Sequence, residues 1–402
     1  MSKRLHALLL VCILTPVLLT GCWNQKEPNN LAILNSIVYD LRDDGQYRVI
    51  AEILNPSGPG GQEGGGGKSP NLTAISQAEN VRIALAQISQ SIESILFGSH
   101  NKVRFFTESF MQGDMPAALD FLLRDHLTDE TPLMVLIRAQ DPVEIYSASL
   151  GLSDTVGDYI DKLSKLQAKN MPKAVFITTL DFIKDYLLEG KEPVMGVVEL
   201  VECEEKSTSE DKTGEQGGKE HGPKLQYEGL AAFREGRFAG YLDGTETRAY
   251  NLITGNLKSA YYSIAAGDGV TVLEVDKAKA GITANVDGDE ISFDIQLNMN
   301  IGVIEEGGTV DVSKDEPLDV IESAFNAMLI KELGAAVEKV QHELKSDIFG
   351  FGAVLRMQHP ETWKQVKEQW NDTFSVCPVR ISVVSDVDRT GEIKEPFLTE
   401  DQ

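Results

Sequence analysis

ISFDIQLNMNIGV, residues 291–303, decides the fold class of this chain. Ile291, Phe293, Ile295, Leu297, Met299, Ile301 and Val303 alternate with Ser292, Asp294, Gln296, Asn298, Asn300 and Gly302. A strand turns successive side chains to opposite faces, so this period of two predicts one buried face and one wet face. At ~3.3 Å per residue the strand spans roughly 43 Å, and it suits an antiparallel sheet with one solvated side. Downstream, Pro317 sits near the start of a helical segment reaching about Ser346. Its Leu318, Ile321, Phe325, Met328, Leu329, Ala336, Val340 and Leu344 form an apolar stripe, the partner that the buried face requires. A helix over 361–370 and a strand over 376–386 follow. Upstream, Tyr227–Phe233 and Arg237–Leu242 pair across Glu235-Gly236. Together these predict an α+β domain over residues 227–396.

Before that domain the composition changes. Glu, Lys, Gly, Ser and Thr dominate 204–224, with no large apolar side chain until Leu225. Such a stretch buries too little surface to offset its ordering entropy, so 204–226 is expected to be a flexible acidic linker or loop at a domain boundary. Residues 31–203 form a second α+β region. Leu31–Tyr39 and Tyr47–Leu54 read as strands joined by the turn Asp43-Asp44-Gly45. Helical spacing is expected from Ile75 to Phe97, with shorter helices over 115–125, 154–168 and 178–189. Strands are expected over Val103–Phe106, Pro132–Ala139 and Val194–Val201. The turn-prone stretch from Gln140 to Gly151 leaves open whether this region is one domain or two, broken at 140–150.

The N-terminus carries a different signal. Lys3 and Arg4 precede an apolar run from Ala7 to Leu19 that is too short to span a ~30 Å hydrocarbon core. It ends in Leu19-Thr20-Gly21-Cys22, a lipobox pattern. Residues 1–21 are therefore expected to be a signal peptide, Cys22 the acylated residue, and 22–30 a lipid-anchored tether. Two acyl chains, at ~0.8 kcal/mol per buried CH₂, anchor stably where one is marginal. No later stretch reaches the length of apolar run that a membrane-spanning helix requires.

The chain has 402 residues and a formal charge of −25. Its length allows two or three domains with substantial cores. The charge opposes phosphate backbones, so nucleic acid is not an expected partner. Once Cys12 leaves with the signal and Cys22 is acylated, Cys203 and Cys377 are the only two that could pair, and two cysteines make no framework. They have no histidine at metal-ligand spacing, so no metal and no cofactor is expected.

Other motifs weigh less. Gly64-Gly65-Gly66-Gly67-Lys68-Ser69 resembles a phosphate loop, but Gln62 stands where glycine is required and Pro70 breaks the following helix. Asp386-Val387-Asp388-Arg389-Thr390-Gly391 begins like a calcium loop, but Phe397 occupies the place of the bidentate acid, which favours a plain turn. His100, His126, His221, His342 and His359 belong to no zinc-protease motif, and no serine sits in a nucleophile elbow. No catalytic residue is assigned. Asp347-Ile348-Phe349-Gly350-Phe351-Gly352, with Trp363, Trp370 and Phe374, reads as a helix terminus whose glycines stop the long helix and whose aromatics cover the end of the sheet. The competing reading makes it a partner surface.

The order of several stretches carries a resemblance: Gly21-Cys22-Trp23, NLAILNSIVYD with DGQYRVIAEILNPSG, FGSHNKVRFFTESF with ALDFLLRD, YEGLAAFREGRFAGYLDGTETRAYNLITGNLKSA, then SDIFGFG and HPETW. The chain resembles the C-subunit lipoproteins of bacterial spore germinant receptors, the Ger(x)C family. Asn24 departs from the family's usual Gly-Cys-Trp-Asp. The resemblance implies several α+β domains in one elongated lipoprotein, with mixed and antiparallel sheets against long helices. It implies a non-enzymatic subunit beside two integral-membrane subunits, lipid-anchored on the extracytoplasmic face of the spore inner membrane, that scaffolds or couples the response to nutrient germinants. Only the acylation site carries over, to Cys22. Whether this subunit itself binds a germinant is left open. The alternative is the solute-binding lipoprotein of a transporter, which requires two similar α/β lobes.

Overall fold

The computed structural model describes residues 31–54, 71–92, 94–113, 120–122, 131–167, 171–202, 223–257, 259–266, 269–306 and 315–389, together with His6. Two sheets organise these residues.

The first sheet begins with the expected hairpin, β1 (Leu31–Leu41) and β2 (Tyr47–Leu54), antiparallel across a turn closed by Gly45 N–H to the Arg42 carbonyl. Gly45 sits at φ +79°, the left-handed region that favours glycine. Next comes β3 (Asn71–Ala78), paired with β2 along its whole length. The helical reading from Ile75 is therefore corrected. Its first turn is an edge strand in which Ala74 and Ala78 face the core and Ile75 points to solvent, 50% exposed. Helix α1 spans only Val81–Ser91, opened by Asn80, whose Oδ1 accepts from Ile83 N–H at 2.9 Å. The last residues of that stretch form a short strand, β4 (Ile95–Phe97), parallel to the start of β1. Ladder pairing across the chain outweighed a local period that Ile75, Ala78 and Leu85 only partly supported.

Strands β5 (Val103–Thr107), β6 (Leu133–Arg138) and β7 (Val194–Val201) follow, parallel to β1 in the order β1-β5-β6-β7. Their near-continuous apolar runs fit burial on both faces. Phe106, Met134, Leu136 and Val197 pack with α1, a single turn α2 (Glu108–Met111) and α4 (Thr179–Leu187). Val103, Phe105, Val135 and Val198 pack with α3 (Val156–Lys162) on the other face. The helices expected over 154–168 and 178–189 are thus in place, the first continuing as a wider helical turn through Gln167. Most of the helix expected over 115–125 lies outside the described residues.

The expected linker at 204–226 does not separate the sheets. β7 pairs antiparallel with β8 (Lys224–Arg234), from Val201 opposite Lys224 to Val194 opposite Ala232. β8 turns through Glu235 and Gly236, both at positive φ, into β9 (Arg237–Leu242). The two strands placed in the C-terminal region therefore complete the first sheet. Residues 203–222 lie outside the described residues, and with them Cys203; Cys377 is a buried free thiol.

After α5 (Gly244–Ile253), the second sheet has the order β10 (Ala260–Ala266), β11 (Gly269–Asp287), β12 (Glu290–Glu306) and β13 (Val379–Arg389). β12 contains the decisive stretch. Its seven apolar positions are all buried, while Gln296 and Asn298 are exposed. Helix α6 (Asp315–Glu338), prolonged by a wider turn to Leu344, lays Ile321, Phe325, Leu329 and Ala336 on that face. The sheet is not wholly antiparallel: β13 runs parallel to β12, because the helical segment between them crosses back over the sheet. β13 also extends through Asp386 and Asp388, so the expected turn there is strand.

Candidate functional site

The predicted acylation site, Cys22, lies outside the described residues, as do the signal peptide, the tether and the glycine-rich loop at 64–69. The first described strand begins at Leu31 and lies inside the first sheet, between β2 and β5.

The DIFGFG segment forms the joint between the two sheets. The long helix stops at Leu344, before the glycines expected to end it, because Lys345 turns left-handed at φ 48°. Asp347 is then fully buried, and its carboxylate gathers four N–H donors. Oδ1 accepts from Gly350 at 2.8 Å and Phe351 at 2.9 Å; Oδ2 accepts from Gly352 at 2.7 Å and Trp370 Nε1 at 2.9 Å. The glycines serve this cap rather than terminate the preceding helix. Gly350 holds φ +81° at the start of α7 (Phe351–Gln358), and a Cβ on Gly352 would lie 2.6 Å from Trp370 Nε1 and 2.7 Å from Gly190 Cα. Gly190 comes from the first sheet's side of the joint, and its carbonyl accepts from Ala353 N–H at 2.9 Å. Beside it, Glu192 N–H donates to the Asp347 carbonyl at 2.9 Å, and Ser346 Oγ donates to the Phe233 carbonyl on β8.

The aromatic residues of this region are core, as the first reading held. Phe351 stacks on Phe293 of β12 at 4.7 Å, and Trp363 of α8 (Pro360–Val366) and Trp370 of α9 (Trp370–Phe374) are 4% and 6% exposed. Burial pushes the Asp347 carboxyl up to about 6 despite its four donors. Burial and the neighbouring Asp347 and Glu235 charges push Glu192 to about 7, against the pull of Glu235 N–H, which donates to its carboxylate. The arrangement is suited to locking two sheets together.

A second buried carboxylate, Glu52 on β2, holds α3 against the first sheet. It accepts from Ser36 Oγ at 2.8 Å, Val156 N–H at 2.9 Å and Gly157 N–H at 3.1 Å. Burial raises its pKa against those donors. Sequence reasoning passed over it, although a lone acid inside YRVIAEIL was the available signal.

At the carboxyl ends of β1, β5 and β6, where open parallel sheets carry ligands, there is a polar pocket of about 310 Å³. Its groups satisfy one another. Arg48 Nε donates to Asp40 at 2.8 Å, Thr107 Oγ1 donates to Asp40 at 2.9 Å, and Tyr241 OH donates to Glu108 at 3.0 Å beneath the Arg138 guanidinium. Among the described residues no group of three or more His, Cys, Asp or Glu is disposed to hold a metal ion, and no helix is long and apolar enough to cross a membrane.

Comparison with known proteins gives two family matches along the chain. The family described as "Spore germination protein N-terminal domain" matches residues 24–200, and "Spore germination B3/ GerAC like, C-terminal" matches residues 228–391. Among curated proteins of Bacillus subtilis (strain 168), "Spore germination protein KC" is 23% identical over 97% of both chains. "Spore germination protein B3" is 22% identical over 89% of this chain and 90% of its own length. The fold is similar to that in "Crystal Structure of the GerBC protein", with a TM-score of 0.53 and 16% identity over 88% of this chain and 96% of the other.

Proposed function

The chain belongs to the Ger(x)C family of spore germination proteins, and from that premise we propose that it is the lipid-anchored subunit of a nutrient germinant receptor. In this reading Cys22 carries the acyl groups, and the folded part stands on the extracytoplasmic face of the spore inner membrane. There it meets two integral-membrane subunits and scaffolds them or passes a signal between them without catalysing a reaction. The observation that carries the proposal is the pairing of family matches over both halves with a lipobox ending at Cys22, just before the first match begins at residue 24. The joint at Asp347 supports a coupling role, since it ties the sheet that follows the tether to the second sheet. The transporter alternative is not favoured: among the described residues, nine strands in one sheet and four in the other are not two similar lobes.

Cys22→Ala tests the anchor. The variant should fold, leave the membrane fraction for the soluble one, and slow germination; full retention in the membrane would refute the anchoring claim. Pull-down of the full-length chain from solubilised spore inner membranes tests the partners. Recovery of two multi-spanning proteins in stable proportion supports the assignment, and a permease with an ATPase would replace it.

A further inference from the structure

A cavity of about 510 Å³ lies between α4 and α5, beside the joint, and the segment preceding α4 also lines it. Beyond the end of α5, Gly255 turns left-handed at φ +73°, and Leu257 N–H folds back to the Asn251 carbonyl at 3.0 Å. That turn brings Leu257 to the cavity, where it and Val175 supply a buried apolar side. The charged groups of the lining are already paired. Lys191 meets Asp185 at 2.8 Å, and Asp181 meets Lys184 at 3.5 Å. A charged guest finds no uncompensated partner there, so the cavity favours a neutral one.

Two adjacent residues of α5 bring unmet polar groups to this lining. Asn251, 5% exposed, spends both amide hydrogens, donating to the Pro172 carbonyl at 2.8 Å and the Ala174 carbonyl at 2.9 Å. Those two bonds fix the orientation of the amide, so its side chain has only the acceptor Oδ1 left to offer. Tyr250 is 1% exposed. Neither its hydroxyl nor Asn251 Oδ1 has a hydrogen-bond partner among the described residues, yet neither atom is sealed from solvent. Both residues line the cavity, which is the opening they share. Burial and the nearby Asp185 charge push the Tyr250 hydroxyl up, so it stays protonated and able to donate. Folded proteins leave few nearly buried polar groups unmet.

We infer that this cavity binds a small neutral molecule bearing a primary amide. The ligand carbonyl accepts from the Tyr250 hydroxyl, an amide N–H donates to Asn251 Oδ1, and the apolar remainder lies against Val175 and Leu257. A carboxylate has no donor for Asn251 and is repelled by Asp185. A single hydroxyl has to serve both groups from one atom, whereas an amide presents its acceptor and its donor side by side. The volume falls within the ~300–1,000 Å³ range of ligand pockets. The inference does not depend on the lipid anchor or on receptor membership.

The test is isothermal titration of benzamide into the full-length chain in nanodiscs, with empty nanodiscs as reference. Saturable one-to-one binding is expected. Tyr250→Phe should weaken it about fivefold, the weight of one net hydrogen bond, and should leave the unfolding midpoint in place because the hydroxyl has no partner to lose. N,N-dimethylbenzamide, which has no N–H, should bind more weakly than benzamide. Asn256→Trp, at an exposed position of the lining, should abolish binding by filling the cavity. Equal heats from the wild type and Asn256→Trp would overturn the inference, because they would mean partition into lipid alone. Undiminished affinity in Tyr250→Phe, or for the dimethyl compound, would overturn it as well. Should Tyr250→Phe fail to fold by circular dichroism, Asn256→Trp and the dimethyl compound decide.

Discussion

Asp347 stands at the point where a buried charge is most costly and most useful. Removing a carboxylate that serves four N–H donors leaves those donors buried without an acceptor. Asp347→Ala should therefore lower stability by about 3–5 kcal/mol, read from the midpoint of urea unfolding at unchanged slope. The same joint makes stability depend on pH. Glu192 and Asp347 both titrate above their ordinary values of 4.5 and 3.8, at about 7 and about 6. A carboxyl whose folded pKa is raised favours the folded state while protonated, and that contribution is lost as pH rises through the folded pKa. Their share of stability should be full below about 4 and fall away between there and about 7. Glu192→Gln, which cannot ionise, should shrink the fall between pH 4.5 and 7 in a urea-unfolding series. An unchanged pH profile would mean that Glu192 does not titrate there.

At the scale of elements, most of what the sequence proposed was local and most of it stands. Gly45 and the Glu235-Gly236 pair turn the two hairpins, and the apolar stripe of α6 meets the buried face of β12. α5 has a capping box: Asp243 accepts from Glu246 N–H at 2.9 Å, and the Glu246 carboxylate accepts from Asp243 N–H at 2.8 Å. Asp243→Ala should cost about 1 kcal/mol in thermal or urea unfolding. The errors fell where a period was weak and a distant ladder decided. Ile75 entered a helix on paper and an edge strand in the fold because β2 offered eight paired positions. The glycines of DIFGFG were read as stops for the helix before them, whereas their backbone amides and close approach serve a carboxylate and a neighbouring loop. Asp347 and Glu52 could not be found as sites from spacing. Glu52 meets Val156 across 104 positions of chain, and Trp370 reaches Asp347 across 23.

For the whole molecule, the stretch between β7 and β8 carries a direct prediction. Val201 and Lys224 are paired residues of one antiparallel ladder, so a few residues suffice to join them. Replacing 204–222 with a short Gly-Asn-containing turn should leave one cooperative unfolding transition and cost little stability, since loop length enters only through a logarithm. Two separated transitions would show that those residues hold the halves together. What the sequence by itself determined is what adjacent side chains encode: the lipobox pattern at Cys22, the alternation of residues 291–303, the turns, the helical stripe and the family resemblance. Only the tertiary structure decided that β8 and β9 complete the first sheet, that β13 runs parallel, and that Asp347 and Gly190 bind the sheets together. Those outcomes rest on pairing and desolvation between residues far apart in the chain, which no local pattern records.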